Sequence, residues 1–184
     1  MAIAASLGGP KAISQILRMM PRNFPAPVAI CQHISDGFTE GLVQWLGSET
    51  PLKVVEANDG QEMVPGSVYI ARSGTHLVVR PKGRLSLEPS PPVRGFRPSC
   101  DVLLTSAAEA FGTRTLGVIL TGMGRDGARG LKEIRERGGR TIAQDRATCA
   151  VYGMPKEAVR IGAAEEVLPL DQIAPTLIQW VEKC

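Results

Sequence analysis

The stretch Leu116-Gly117-Val118-Ile119-Leu120-Thr121-Gly122-Met123-Gly124-Arg125-Asp126-Gly127 decides the fold. Its first five residues are a near-continuous apolar run. A strand with one wet face alternates apolar and polar side chains; this one does not, which predicts a strand of a parallel sheet covered on both faces. The next seven residues are polar and rich in glycine. Beyond them Leu131 and Ile134 mark a helix that Gly138-Gly139 stops. Apolar strand, glycine turn and amphipathic helix together make one unit of a doubly wound sheet.

The same unit recurs on either side. Ala2–Ala5 is an apolar run ending at Ser6-Leu7-Gly8-Gly9-Pro10. Pro10 suits a first helical position, and Ile13, Ile16, Leu17 and Met20 then fall at i, i+3, i+4, i+7. Val28-Ala29-Ile30-Cys31 reads as a second buried strand running into Gln32-His33, followed by a helical stripe of Phe38, Leu42, Trp45 and Leu46 and a short strand at 52–55. The middle differs: 67–71, 77–80 and 84–88 read as short strands, the last two joined through Pro81-Lys82-Gly83 as a hairpin. After the proline-rich loop ending at Pro98, Ser99 reads as the cap of a helix holding Leu103, Ala107, Ala110 and Phe111. Strands at 141–143 and 166–168, a short helix at 155–160 and a terminal amphipathic helix from Leu170 to Val181 complete the pattern. The prediction is an α/β fold: a doubly wound, mostly parallel sheet with helices on both faces and an antiparallel hairpin edge.

Length and composition agree. A chain of 184 residues suits one domain, 1–184. With 43% hydrophobic and 21% charged residues it resembles an ordinary globular protein and neither a disordered segment nor a coiled coil. No apolar run reaches the ~18 residues of a transmembrane helix, so no membrane insertion is expected. The opening MAIAASLGGPK lacks the basic and long apolar regions of a secretory signal. Cys31, Cys100, Cys149 and Cys184 are widely spaced and favour free thiols in a reducing compartment. A net charge of +3 is too small to require nucleic acid as a partner.

Doubly wound sheets bind ligands at the carboxyl ends of their strands. Ser6, His33 and Asp126 each follow an apolar strand at such an end. A serine, an imidazole that takes its proton and a carboxylate that orients the imidazole form the machinery of acyl transfer. Each residue also has a structural reading: Ser6 as a helix entry, His33 as a satisfied loop histidine, Asp126 as a turn or cap residue. The turn at Thr121-Gly122-Met123-Gly124 offers free backbone N–H groups to an oxyanion, or is merely a tight reversal. Gly8-Gly9 could approach a phosphate, but the surrounding residues match neither GxGxxG nor a P-loop, so a nucleotide cofactor is not expected. Metal is not expected either, with only His33 and His76 present; Cys31 and His33 share a strand face, which permits a cysteine nucleophile or a shared ligand, but Cys31 reads as a small core residue.

The stretches Ala4-Ala5-Ser6-Leu7-Gly8-Gly9-Pro10, Gln32-His33-Ile34 with Phe38-Thr39, Arg97-Pro98-Ser99, 117–127, Ala143-Gln144-Asp145 and Tyr152-Gly153-Met154-Pro155 resemble the catalytic domain of the chemotaxis protein-glutamate methylesterase family. The resemblance spans nearly the whole chain. It implies a cytoplasmic serine hydrolase of two-component signalling, without cofactor, that hydrolyses glutamyl methyl esters on the methylated helices of chemotaxis receptors and in many members deamidates receptor glutamines. By motif, Ser6 matches the nucleophile, His33 the base, Asp126 the triad carboxylate and the Met123 backbone N–H an oxyanion donor. Family members usually carry an N-terminal phospho-receiver domain, and nothing here resembles one; an excised effector domain or a stand-alone homologue is expected. The chain departs from the family at Leu7, where threonine is usual, which allows a non-catalytic receptor-binding module as the alternative. It departs again at Phe96, where histidine is common, and that reads as a loop change. Arg18, Arg22, Arg72, Arg94 and Arg97 are candidates to meet an acidic receptor.

Overall fold

Seven strands are parallel throughout in the computed structural model, which describes residues 1–182. In chain order the elements are β1 (Ala2–Ala5), α1 (Gly9–Met19), β2 (Val28–Gln32), α2 (Thr39–Glu49), β3 (Lys53–Glu56), β4 (Ser67–Ile70), β5 (His76–Arg80), β6 (Arg84–Glu88), α3 (Cys100–Phe111), β7 (Leu116–Ile119), α4 (Ala128–Glu136), β8 (Arg140–Gln144), α5 (Met154–Arg160), β9 (Glu166–Leu168) and α6 (Leu170–Glu182). The sheet runs β3-β4-β2-β1-β7-β8-β9. The chain winds outward in one direction from β1 through β2, then returns to β1's other side with β7. That reversal of order makes a crevice at the carboxyl ends of β1, β2 and β7.

Every residue of β1, β2 and β7 is buried, as apolar runs without alternation require. Two hydrophobic clusters lie on opposite faces. Ile13, Ile16 and Leu17 of α1 pack with Leu46, Ile173 and Leu177 on one, against Ile3, Ile30 and Val118. Leu103 and Leu104 of α3 pack with Leu131 and Ile134 of α4 on the other, against Ala2, Ala4 and Ile119. The hairpin β5–β6 is a separate two-stranded antiparallel sheet packed on α3 rather than a rim strand of the main sheet; both rims, β3 and β9, are parallel. Other elements fall within about two residues of their predicted ends. Cys31 and Cys100 are buried free thiols and Cys149 is a half-buried one; Cys184 lies outside the described residues.

Candidate active site

Ser6 and His33 sit side by side because of strand register. Ala5 pairs with Gln32 in the parallel β1–β2 ladder, and Ser6 and His33 are the next residue on each strand. Adjacent strands lie about 4.8 Å apart, so the two backbones leave the sheet as neighbours. The buried Gln32 side chain ties them: its Nε2 donates to the Ser6 carbonyl at 2.9 Å and to the His33 carbonyl at 2.7 Å. On the other side of β1, the Ser6 N–H donates to the Thr121 carbonyl at 3.1 Å, which brings the glycine turn after β7 against Ser6. A Cβ on Gly122 would stand 2.7 Å from the Ser6 Cβ, so only glycine admits this approach. Met123 is 71% exposed at the rim of that turn.

Asp126 reaches the site from 93 residues away in the chain. His33 Nε2 and Asp126 Oδ2 are 2.8 Å apart, with the carboxylate only 1% exposed. The carboxylate does more than meet the imidazole. It accepts from Ser99 Oγ at 2.9 Å, from Cys100 N–H at 2.7 Å and from Asp101 N–H at 3.0 Å. It is thus an external cap on the first turn of α3, where free N–H groups and the helix dipole favour a negative charge. Asp101 answers in kind: its Oδ1 accepts from Gly127 N–H at 2.9 Å and Gly130 N–H at 3.0 Å, capping α4. Both structural readings of Asp126, turn residue and cap, therefore coexist with its contact to His33.

Electrostatics follow from this cage. Burial pushes the Asp126 carboxyl up, but His33 and the three donors from residues 99–101 outweigh it and hold the pKa below the ordinary carboxylate value. Burial lowers the His33 pKa, while the hydrogen bond to Asp126 raises it further; the direction is upward from 6.5. The Cys100 thiol, pushed well up by burial, is neutral near pH 7, so the carboxylate is what holds the imidazolium. The second ring nitrogen, Nδ1, is buried and has no hydrogen-bond partner among the described residues. Phe96 stacks on the ring, with centroids 4.1 Å apart and planes within 4°. The imidazole is thereby clamped on one edge and on one face, with Nδ1 able to accept once the ring is neutral.

A family model described as CheB methylesterase matches residues 1–177. The chain belongs to the CheB methylesterase family. It is 70% identical over 183 residues to the protein-glutamate methylesterase FrzG of Myxococcus xanthus, covering 100% of this chain and 55% of that protein. It is 54% identical over 175 residues to protein-glutamate methylesterase/protein-glutamine glutaminase 2 of Anaeromyxobacter dehalogenans (strain 2CP-C), covering 95% of this chain and 51% of the other. The crystal structure of the Thermotoga maritima CheB methylesterase catalytic domain matches with a TM-score of 0.94 at 42% identity, over 97% of this chain and 96% of that one. The chain spans about half the length of the curated relatives it matches.

In this CheB methylesterase domain several sequence expectations change. Phe96 lies in the loop between β6 and α3, as expected, but it is also the stacking partner of His33. Ser99 occupies the N-cap position of α3, yet its hydroxyl is spent on Asp126 and makes no cap bond. Leu7 is 61% exposed, and what Thr121 Oγ1 uses at this position is the Leu7 carbonyl, at 3.0 Å, which any residue supplies. Gly8 and Gly9 are explained by packing: added Cβ atoms would meet Ala150 Cβ at 2.6 Å and Gln32 Oε1 at 2.0 Å. Of the five arginines, Arg18 pairs with Glu49, Arg72 with Glu56 and Arg94 with Asp101 at 3.6 Å, Arg97 reaches the carbonyls of Pro89 and Ser90, and Arg22 is exposed. Arg94 also joins Arg125, Arg129, Lys132, Arg160 and the carboxylate of Glu157, which pairs with Arg160, around a cavity of about 280 Å³ beside the Asp126 turn. Gln32, Cys100 and Asp101 were not legible as site residues. Asp101 carried the signal of an acidic residue in a helix's first turn, but nothing in the sequence says which helix it serves across the fold.

Proposed function

We propose that this domain is a serine hydrolase that cleaves glutamyl methyl esters on chemotaxis receptors in the cytoplasm, releasing methanol, and that it also deamidates receptor glutamines. The observation that carries the reading is an oriented imidazole with a free buried nitrogen, next in register to Ser6. Ser6 Oγ attacks the ester carbonyl while His33 Nδ1 takes its proton. Nε2–H stays on Asp126, which stabilises the imidazolium as it forms; the two ring nitrogens thus exchange the places they hold in the familiar serine-protease arrangement. Backbone N–H of Met123, in the turn that touches Ser6, receives the oxyanion; one such donor is worth about 2.7–4 kcal/mol. The imidazolium protonates the departing methoxide. With glutamine the imidazolium protonates the departing nitrogen and ammonia leaves; in either case water, deprotonated by the same nitrogen, then attacks the acyl-serine, releases glutamate and restores the Ser6 hydroxyl.

The partner is an acidic helix of a methylated receptor, suited by Arg125 and Arg129 and by the excess of cations over Glu157 in the lining of the cavity beside the Asp126 turn. A phospho-receiver domain on the full-length protein is the expected regulator, consistent with relatives about twice as long. The test is methanol release from methyl-esterified receptor. Ser6→Ala should reduce the rate by on the order of 10⁶, as loss of a triad nucleophile does elsewhere, with an unchanged circular dichroism spectrum. A folded Ser6→Ala protein that still hydrolyses at near the parent rate rejects the mechanism.

A further inference from the structure

Directly behind the imidazole lie two thiols that the hydrolytic steps do not use. Cys31 is on β2 two residues before His33, on the same face of the strand. Cys100 is the first residue of α3. Its Sγ is 3.5 Å from His33 Nε2 and 3.5 Å from the Cys31 carbonyl. The two sulfurs and one imidazole nitrogen all lie within 4.8 Å of one another, and both cysteines are fully buried. Around a tetrahedral zinc ion, with Zn–S about 2.3 Å and Zn–N about 2.0–2.1 Å, neighbouring ligand atoms stand roughly 3.5–3.8 Å apart. One edge of the cluster already has that length, and the remaining edges close by about 1 Å or less.

We propose that Cys31, Cys100 and His33 form a binding site for a thiophilic divalent cation of the zinc class. Two sulfurs and an imidazole select such an ion over magnesium or calcium, which prefer oxygen. Asp126 Oδ2, 2.8 Å from Nε2, takes the Nε2 hydrogen in the metal-free protein and gives way to the ion when it binds; solvent completes the tetrahedron. Burial keeps the Cys100 thiol protonated in the metal-free protein, so it becomes a thiolate only as the ion binds and takes the proton's place. Binding displaces protons: each thiol loses one to solvent, and His33 gives up the one on Nε2, leaving the ring neutral with its hydrogen on Nδ1. Nδ1, the nitrogen that the hydrolase reading makes the base, then has no lone pair to accept with. The ion therefore switches hydrolysis off by taking the opposite edge of the base; this consequence rests on the hydrolase reading, whereas the binding itself does not.

The experiment titrates the reduced protein with Co²⁺ under anaerobic conditions and then displaces it with Zn²⁺. The expected result is one equivalent bound, with thiolate-to-cobalt charge-transfer absorption and tetrahedral ligand-field bands. Cys31→Ser and Cys31→Ala should weaken binding by at least the ~10–100-fold that loss of even an outer-shell partner costs, and should keep the metal-free methylesterase rate while losing zinc inhibition. X-ray absorption of the parent zinc complex should count two sulfurs and an imidazole, a readout that needs no variant to fold. Absence of the thiolate band, fewer than two sulfurs, or equal affinity in folded Cys31 variants overturns the proposal. A protein that binds cobalt through two thiolates yet releases no methanol keeps the site and loses the hydrolase reading; one that hydrolyses but binds no cobalt does the reverse.

Discussion

At the scale of single residues, His33 is the group whose surroundings decide behaviour. Its pKa is raised above 6.5 by Asp126 in spite of burial. A base must be unprotonated to act, so kcat/KM for ester hydrolysis should be low on the acid side and climb as pH rises beyond neutrality. A pH–rate profile that is already flat at pH 6 would contradict the assignment of His33 as base. Phe96 holds the ring by its face, and such an aromatic pair contributes about 0.5–1.5 kcal/mol beyond area burial. Phe96→Ala should therefore cut kcat by about two- to tenfold with the fold intact. Restoring an aromatic ring, as Phe96→His does, should recover most of the loss; equal rates in the alanine and histidine variants would deny the stacking any role.

At the scale of elements, the site is built where α3 and α4 begin. Each helix start is capped by a carboxylate next to the other's start: Asp126 on the first turn of α3, Asp101 on that of α4. The helices approach so closely that a Cβ on Gly130 would lie 2.6 Å from Leu104 Cβ and 2.7 Å from the Asp101 carbonyl oxygen. Gly130→Ala should lower stability by about 1–3 kcal/mol, the usual result of overpacking, and should impair hydrolysis as well by shifting Asp126. The pH dependence of stability has two limbs. Asp126 is held below its ordinary pKa, so its contribution is present above the unfolded value near 3.8 and is lost as pH falls through the folded one. His33 is held above its ordinary pKa, so its contribution is complete below 6.5 and is lost as pH rises through the folded value. Urea denaturation across pH should show both limbs in the parent protein. Asp126→Asn should flatten them, and two unaltered limbs in that variant would mean that other groups produce them.

At the scale of the whole molecule, a parallel sheet with both faces covered concentrates stability at its centre. β1 has β2 and β7 as neighbours and helices on each face, whereas the rim strands β3 and β9 are half-exposed. Amide hydrogen exchange should be slowest in β1, β2 and β7 and markedly faster in β3 and β9. Uniform protection across the seven strands would argue against this distribution. The arrangement suits the chemistry, because Ser6, His33 and the Thr121–Gly122 turn all leave the three buried central strands.

The chain's own pattern was enough for the strand–helix alternation and for the three strand ends where reactive side chains emerge. Apolar runs without alternation admit no wet face, and glycine turns admit few successors. It was also enough for the resemblance carried by the segment around Asp126. The hairpin's detachment from the main sheet was not legible, because local residues determine that two strands pair but not which sheet receives them. Nor was the company His33 keeps. Phe96, Cys100 and Asp126 lie 63, 67 and 93 residues downstream of it, and no local propensity couples residues at such separations. Only the packing of α3 and α4 beneath β1 and β7 brings one carboxylate within reach of a helix start and an imidazole together, and two thiols within reach of the same ring.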